Sequence, residues 1–150
     1  MEIVVNEWLL DYLCPNAQES ERKAALQFLN AFVRKTDKIV LRSHSPFVDK
    51  FYDYSKRSEQ FTNIKPLFSI LHLLFRNADK TIIAYDRDLQ TLPDDIAAKT
   101  PPGDKYLIEL WYSKQDRIVL TTDTRLKDKL KDIPGLKICL LQDFLPEYLS

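Results

Sequence analysis

The chain has 150 residues, of which 45% are hydrophobic and 29% are charged, so we expect a globular protein rather than a disordered segment. Lys and Arg together number 22, as do Asp and Glu, and a formal net charge of zero leaves no global basic field to attract nucleic acid. Only two glycines occur, which excludes a glycine-rich phosphate loop and a dinucleotide-binding fingerprint.

Cysteine, histidine and hydropathy patterns narrow the class of protein further. Cys14 and Cys139 are far apart and match no metal-ligand spacing, and His44 and His72 are isolated, so we expect no zinc site. The cysteines are typical of small core residues in a reducing cytoplasm. Neither a secretory leader nor an apolar run of roughly 20 residues is found, so we expect a cytoplasmic protein that makes no use of a membrane.

Short β-rich runs alternate with helical segments along the whole chain. The predicted strands cover, in order, residues 2–5, 39–41, 81–85, 118–120 and 136–141. The predicted helices cover residues 7–13, 16–35, 46–52, 64–75, 93–99, 104–111, 124–130 and 143–149. This alternation is typical of an α/β three-layer sandwich with a mainly parallel five-stranded sheet, and no linker divides residues 1–150 into more than a single domain.

Local signals mark several helix ends. Asn16, with Glu19 three residues later, resembles a capping box that opens the second helix. Ser45 and Pro46 are typical of an N-cap followed by a first-turn proline. The helix over residues 64–75 is too uniformly apolar for a one-sided surface helix, so we expect it to lie in the core or to cover a subunit interface.

An aspartate stands at each of two junctions between elements in the C-terminal half. Asp104 opens an apolar helix, and Asp123 follows the fourth strand where another helix begins. In parallel sheets ligands bind outside the carboxyl ends of the strands, so Asp123 is expected at the rim of the sheet with Asp104 nearby. Thr121 lies two residues before Asp123 and, in an extended strand, would face the same ligand. The alternative role for both aspartates is that of a helix N-cap.

The order of these elements resembles that of the PIN domain family. The resemblance rests on the aspartate-opened helix, IVLTTD at 118–123, Leu126, GLKICLL at 135–141 and DFL at 143–145, and WLLDYL at 8–13 also fits. It implies a ribonuclease in which three or four clustered carboxylates bind Mg²⁺ or Mn²⁺ at the strand ends. Hard divalent cations take carboxylate oxygens, and such an ion lowers the pKa of the attacking water.

The resemblance also implies roles for particular residues. Asp104 and Asp123 match the family's third and fourth acids, and Thr121 matches the hydroxyl two residues before the fourth. The helix after the second strand normally brings another acid, and Asp49 is the nearest candidate there. The resemblance therefore implies that these four residues are catalytic, and that Asp104, Asp123 and Asp49 also bind the metal. For Asp49, a solvated helix residue is the alternative.

The end of the first strand departs from the family pattern. Members carry an aspartate there, whereas this chain has Asn6 and Glu7. Asn6 offers a neutral oxygen that can ligate a hard cation without offsetting its charge, and Glu7 replaces the missing carboxylate if the chain turns by one residue. Two hypotheses follow. The chain is either an active Mg²⁺- or Mn²⁺-dependent endoribonuclease, or a catalytically degenerate PIN fold that binds RNA or protein.

Basic side chains supply a candidate RNA-binding surface. The nucleic-acid candidates after the second strand are Arg42, His44, Lys50, Lys56 and Arg57, which with interleaved tyrosines would line an entrance for single-stranded RNA. A solvated helix face is the alternative. The resemblance also permits a toxin role with an antitoxin-like protein partner, and a homodimer. A flavodoxin-like or receiver-like domain is the third class, and the lack of phosphate-loop glycines argues against it.

Overall fold

The computed structural model describes all 150 residues and contains a five-stranded, entirely parallel β-sheet. The strands are β1 (Glu2–Val5), β2 (Lys38–Arg42), β3 (Thr81–Ala84), β4 (Ile118–Thr121) and β5 (Lys137–Leu140). Their spatial order is β3-β2-β1-β4-β5. The α/β class and the parallel five-stranded sheet predicted from the sequence are confirmed.

Eight α-helices connect and follow the strands. They are α1 (Trp8–Asp11), α2 (Glu19–Arg34), α3 (Pro46–Ser58), α4 (Lys65–Arg76), α5 (Asp94–Lys99), α6 (Lys105–Ser113), α7 (Thr124–Leu130) and α8 (Leu141–Leu149). Two short 3₁₀ turns, Asp86–Asp88 and Pro102–Asp104, lie on either side of α5. None of these helices has both the length and the apolar character needed to cross a membrane.

The strand order reverses at the centre of the sheet. From β1 the chain steps through β2 to β3, then crosses back to β4 on the other side of β1 and continues to β5. Because crossovers between parallel strands are right-handed, the two directions place their helices on opposite faces. Accordingly, α6 packs on β1, β2 and β4, while α2 packs against α8. The carboxyl ends of β1 and β4 therefore meet at a topological switch point, where open α/β sheets bind their ligands.

The central strands are buried because helices cover both faces of the sheet. Val4 and Val119 pair in register across β1 and β4, and both are fully buried. Trp8, at the start of α1, donates its Nε1–H to the carbonyl oxygen of Leu120 at 2.9 Å. The first turn after β1 is thereby fastened to the neighbouring strand, and one cluster of 37 buried residues encloses both. This core fixes the rim on which the candidate site lies.

Helix ends follow the capping chemistry, with one correction. Ser45 caps α3 by accepting a backbone N–H with its hydroxyl oxygen at 3.3 Å, as predicted. The predicted capping box of Asn16 and Glu19 is wrong. Gln18 and Glu21 form the box instead, and the Gln18 N–H donates to Glu21 Oε1 at 2.9 Å. The same three-residue spacing occurs twice, and the later pair is used because the turn after α1 occupies the earlier position.

The apolar helix α4 has one buried and one exposed side. Phe68, Leu71 and Leu74 are buried in the core, which is one of the two places predicted for this helix. Ile70 and Leu73 lie on the other side and are 54% and 72% exposed. The helix therefore contributes both to the core and to an apolar strip on the surface.

Candidate functional site

Hydrogen bonds between side chains tie the ends of β1 and β4 together. Val5 pairs with Leu120 in the sheet, so Asn6 and Thr121 follow side by side. Asn6 Nδ2 donates to Thr121 Oγ1 at 2.9 Å, and Asn6 Oδ1 accepts the backbone N–H of Trp8 at 3.3 Å. Both ends of the buried Asn6 amide are therefore used within the protein. Asn6 holds the two strand ends in register and brings no negative charge to the rim.

Asp123 lies directly beyond β4, at the N-terminus of α7. Its Oδ1 accepts the backbone N–H groups of Arg125 and Leu126 at 2.9 and 3.1 Å, so the predicted N-cap role is confirmed. The side chain is exposed, and its second carboxylate oxygen makes no hydrogen bond within the protein. Asp123 thus has an oxygen free for a ligand while it caps the helix.

The Thr121 hydroxyl holds the backbone of Asp123 in place. The prediction that both side chains face one ligand from a single strand is wrong, because β4 ends at Thr121 and Thr121 is fully buried. The Thr121 hydroxyl oxygen instead accepts the backbone N–H of Asp123 at 3.1 Å. Together with the bond from Asn6, this fixes the chain direction at the point where it leaves the sheet.

Asp104 lies at the N-terminus of α6 and faces the same rim. It occupies the N-cap position, but its side chain makes no capping hydrogen bond, so the capping alternative for Asp104 is wrong. Burial raises the pKa of the Asp104 carboxyl, and the nearby carboxylates of Glu7 and Asp123 raise that pKa further. Lys129 opposes this effect only in part. Carboxylates from two other segments, Glu7 and Asp123, therefore act on Asp104 at the switch point.

Glu7 supplies the negative charge that Asn6 lacks. It begins α1 immediately after Asn6, is partly buried, and its carboxylate makes no hydrogen bond of normal geometry. Asp11, one helical turn later, accepts from Tyr54 Oη at 2.9 Å and from Lys50 Nζ at 3.2 Å. Asp11 is a further acid near the rim. It was not identified from the sequence, because only its contacts with Lys50 and Tyr54 of α3 show its position.

Tyr106, two residues into α6 from Asp104, was not identified from the sequence either. It is 4% exposed, and its hydroxyl lies beside Glu7 without a hydrogen bond of normal geometry to any protein group. Burial, with the Glu7 and Asp104 carboxylates, raises the pKa of Tyr106, so its hydroxyl is a neutral donor. The Tyr106 O–H therefore faces the Glu7 carboxylate at the rim, where it can donate to a ligand.

Arg42, at the end of β2, is occupied by ion pairs. Its Nη1 donates to Glu109 Oε1 at 2.9 Å, and its Nη2 donates to Asp86 Oδ1 at 3.2 Å. The Glu109 side chain is 14% exposed, so this pair is held well away from solvent. Arg42 therefore braces β2 against α6, which is a different role from the RNA contact predicted for it.

The other predicted residues of α3 and its preceding turn are spread over the surface. His44 and Lys56 are exposed without side-chain partners, and Arg57 forms an exposed ion pair with Asp53 at 3.0 Å. Asp49 is exposed and makes no side-chain hydrogen bond or ion pair. None of the contacts at the rim involves Asp49, so it is not brought together with Asp104 and Asp123.

The donor set at the rim suits an open cation site rather than a closed one. No group of three or more His, Cys, Asp or Glu side chains is close enough to enclose a metal ion. Mg²⁺, however, usually keeps several waters and binds through one or two carboxylates and substrate phosphates. Asp104 and Asp123, with the unpaired hydroxyl of Tyr106 nearby, fit that chemistry.

A surface hollow of about 640 Å³ lies at the amino ends of the strands, away from the acidic rim formed by Glu7, Asp104 and Asp123. Its lining includes Lys35, Asp37 and Tyr148. Charge and the Tyr106 hydroxyl, rather than a deep cavity, mark the candidate site.

Protein-family models, curated proteins and solved structures give no match to the chain. The PIN domain resemblance therefore stays a prediction.

Proposed function

We propose that the chain is a Mg²⁺- or Mn²⁺-dependent endoribonuclease of the PIN type, which hydrolyses phosphodiester bonds of RNA. The observation that carries this proposal is that Glu7 and Asp123 lie near enough to Asp104 to raise its pKa, at the switch point between β1 and β4. Three acids from separate segments that repel one another cost stability, and a bound cation relieves that cost. Carboxylate oxygens favour hard divalent cations over softer ones.

Each rim residue has a distinct part in this proposal. Asp104 and the free oxygen of Asp123 hold the cation, and Glu7 supplies the charge that the first-strand aspartate supplies in the PIN family. Tyr106 donates a hydrogen bond to the attacking water or to a phosphate oxygen beside Glu7. When bound, Mg²⁺ or Mn²⁺ makes a water more acidic for attack on phosphorus and offsets charge on the leaving oxygen.

A second candidate is a catalytically degenerate PIN fold that binds RNA or protein. One observation favours it: Asn6 is neutral, and both ends of its amide are bonded within the protein. The rim then holds one carboxylate fewer than the family pattern has, unless Glu7 takes that place. The first candidate requires that RNA is cut, and the second requires only that RNA or protein is bound.

Cleavage of a fluorescent single-stranded RNA in Mn²⁺ separates these candidates. We expect the wild-type chain to cleave it, and Asp104→Asn and Asp123→Asn each to lower the rate by roughly 100-fold or more, because even outer-shell changes cost up to about that much. Asp128→Asn, at an exposed aspartate later in α7, is the matched control and should cleave normally. Cleavage that survives Asp123→Asn would remove the activity from this site, and RNA binding without cleavage would establish the degenerate fold.

The exposed apolar strip of α4 is a candidate surface for a protein partner. We propose that Ile70 and Leu73, 54% and 72% exposed and one turn apart, are covered by a second copy of the chain or by an antitoxin-like protein. Light scattering tests the homodimer. A dimer mass that falls to that of a monomer in Leu73→Asp supports it, and a monomer mass for the wild type contradicts it.

A further inference from the structure

A second feature near the rim is a hollow of about 280 Å³ between the turn after α1 and the end of α3. It is lined by Cys14, Pro15, Asn16, Tyr54, Arg57, Phe61 and Ile64. The Tyr54 hydroxyl on its wall donates to Asp11 Oδ1 at 2.9 Å, and Asp11 lies one helical turn, about 5.4 Å, beyond Glu7. The hollow is therefore a close neighbour of the acidic rim.

Three cations lie around this hollow, together with two acids: Asp11 pairs with Lys50 at 3.2 Å, and Asp53 pairs with Arg57 at 3.0 Å. Arg57 has its guanidinium 6.0 Å from the centre of the Tyr54 ring, and Lys50 Nζ is 5.8 Å from the same ring. Arg22 Nη2 donates to the carbonyl oxygen of Cys14 at 2.8 Å. The Arg57 ion pair with Asp53 is 65% and 53% exposed, so it is weak and can be exchanged for a phosphate.

Aromatic and amide groups complete the lining. Phe61, in the loop after α3, is 42% exposed, and Tyr54, which also lines the hollow, is half-buried. Bases of single-stranded nucleic acid stack on such rings, with positive charge tracking the backbone. The exposed amide of Asn16 has both donors and an acceptor for a base edge.

We propose that this hollow, which we call the base pocket (Cys14, Pro15, Asn16, Tyr54, Arg57, Phe61 and Ile64), holds an unstacked base of single-stranded RNA whose backbone continues to the acidic rim. Arg57 and Lys50 face the phosphates that flank this base. The inference rests on the proposed function and adds the place where one base of the strand is held, outside the acidic rim. A duplex is excluded, because its bases are stacked and paired and cannot enter the pocket.

Binding measured without metal tests the base pocket separately from cleavage. A short fluorescein-labelled single-stranded RNA is titrated by anisotropy in EDTA, with a duplex of the same sequence in parallel. We expect Phe61→Ala and Arg57→Gln each to raise the Kd for the single strand about tenfold and to leave the weak duplex binding unchanged. Leu149→Ala, at a similar exposure of 43%, and Arg34→Gln are the matched controls and should bind as the wild type does.

Equal affinity of both pocket variants and the wild type for single-stranded RNA would overturn the base pocket. Pocket-dependent RNA binding without Mn²⁺-dependent cleavage supports the pocket and overturns the nuclease alone.

Discussion

Replacing Asn6 with aspartate tests the balance of charge at the rim. The substitution removes the Asn6 Nδ2 donor of the 2.9 Å hydrogen bond to Thr121 Oγ1, so that the Thr121 hydroxyl must donate instead, which costs up to about 1 kcal/mol. It also places a carboxylate at a position that is 8% exposed, next to Glu7 and near Asp104 and Asp123, which costs a further 1–2 kcal/mol, roughly. We therefore expect Asn6→Asp to lower the free energy of unfolding by about 2–3 kcal/mol at pH 7 without metal.

Thermal melting with and without Mn²⁺ measures this effect. For a domain of this size, about 2–3 kcal/mol corresponds to a fall in Tm of roughly 5–10 °C. Mn²⁺ binds the native state, and at 100 times its Kd it returns about 2.7 kcal/mol. Because the added carboxylate also makes a better ligand than the amide, Mn²⁺ should raise the Tm of Asn6→Asp more than that of the wild type. RNA cleavage should rise in parallel.

The control is Asn30→Asp, at an exposed asparagine of α2, which should change stability by less than about 0.5 kcal/mol. The loss in Asn6→Asp should shrink as the pH falls, because protonation of the crowded carboxyl groups removes their repulsion. A Tm that is unchanged without metal, or one that Mn²⁺ raises no more than in the wild type, would refute the reasoning.

Three further substitutions test individual contacts. The pKa of the Asp104 carboxyl is raised in the folded state, so its ionisation lowers the free energy of unfolding near pH 7. Asp104→Asn should therefore raise the Tm at pH 7, and thermal melts at lower pH should show this gain vanish below about pH 3.9. Tyr106→Phe removes an unpaired hydroxyl, so the Tm should hold or rise slightly while kcat for RNA falls about tenfold at unchanged KM; a lower Tm would show that the hydroxyl is bonded. Arg42→Ala leaves the Glu109 carboxylate, 14% exposed, without its partner at 2.9 Å, so the free energy of unfolding measured with urea should fall by about 2–3 kcal/mol. Arg34→Ala is the control and should cause no loss, and equal stability of the two variants would contradict this prediction.

The fold was predictable because each strand is a short apolar run bounded by polar turns. Ile39, Val40 and Leu41 are all buried, as expected for a parallel sheet covered on both faces. The predicted ends of helices were less accurate where two local sequence signals compete. The first helix ends at Asp11 rather than residue 13, since the chain already turns there before Pro15.

The site was predictable only where a residue's place in the chain fixes its place in the sheet. Asp104 and Asp123 stand at junctions that can be read from the sequence, and both lie at the expected rim. Glu109 was missed because its partner Arg42 is 67 residues away, and no local pattern reports that contact. Tyr106 was missed for the same reason, since its packing against Glu7 joins distant segments.

Binding of Mn²⁺, followed by electron paramagnetic resonance, tests most directly whether Glu7, Asp104 and Asp123 form one site. We predict that the wild-type chain binds a single Mn²⁺ at millimolar or lower concentration, that Asp104→Asn and Asp123→Asn each abolish this binding, and that Asp128→Asn retains it. Wild-type protein that leaves millimolar Mn²⁺ free, or binding that survives both rim substitutions, would contradict a shared cation site at this edge of the sheet.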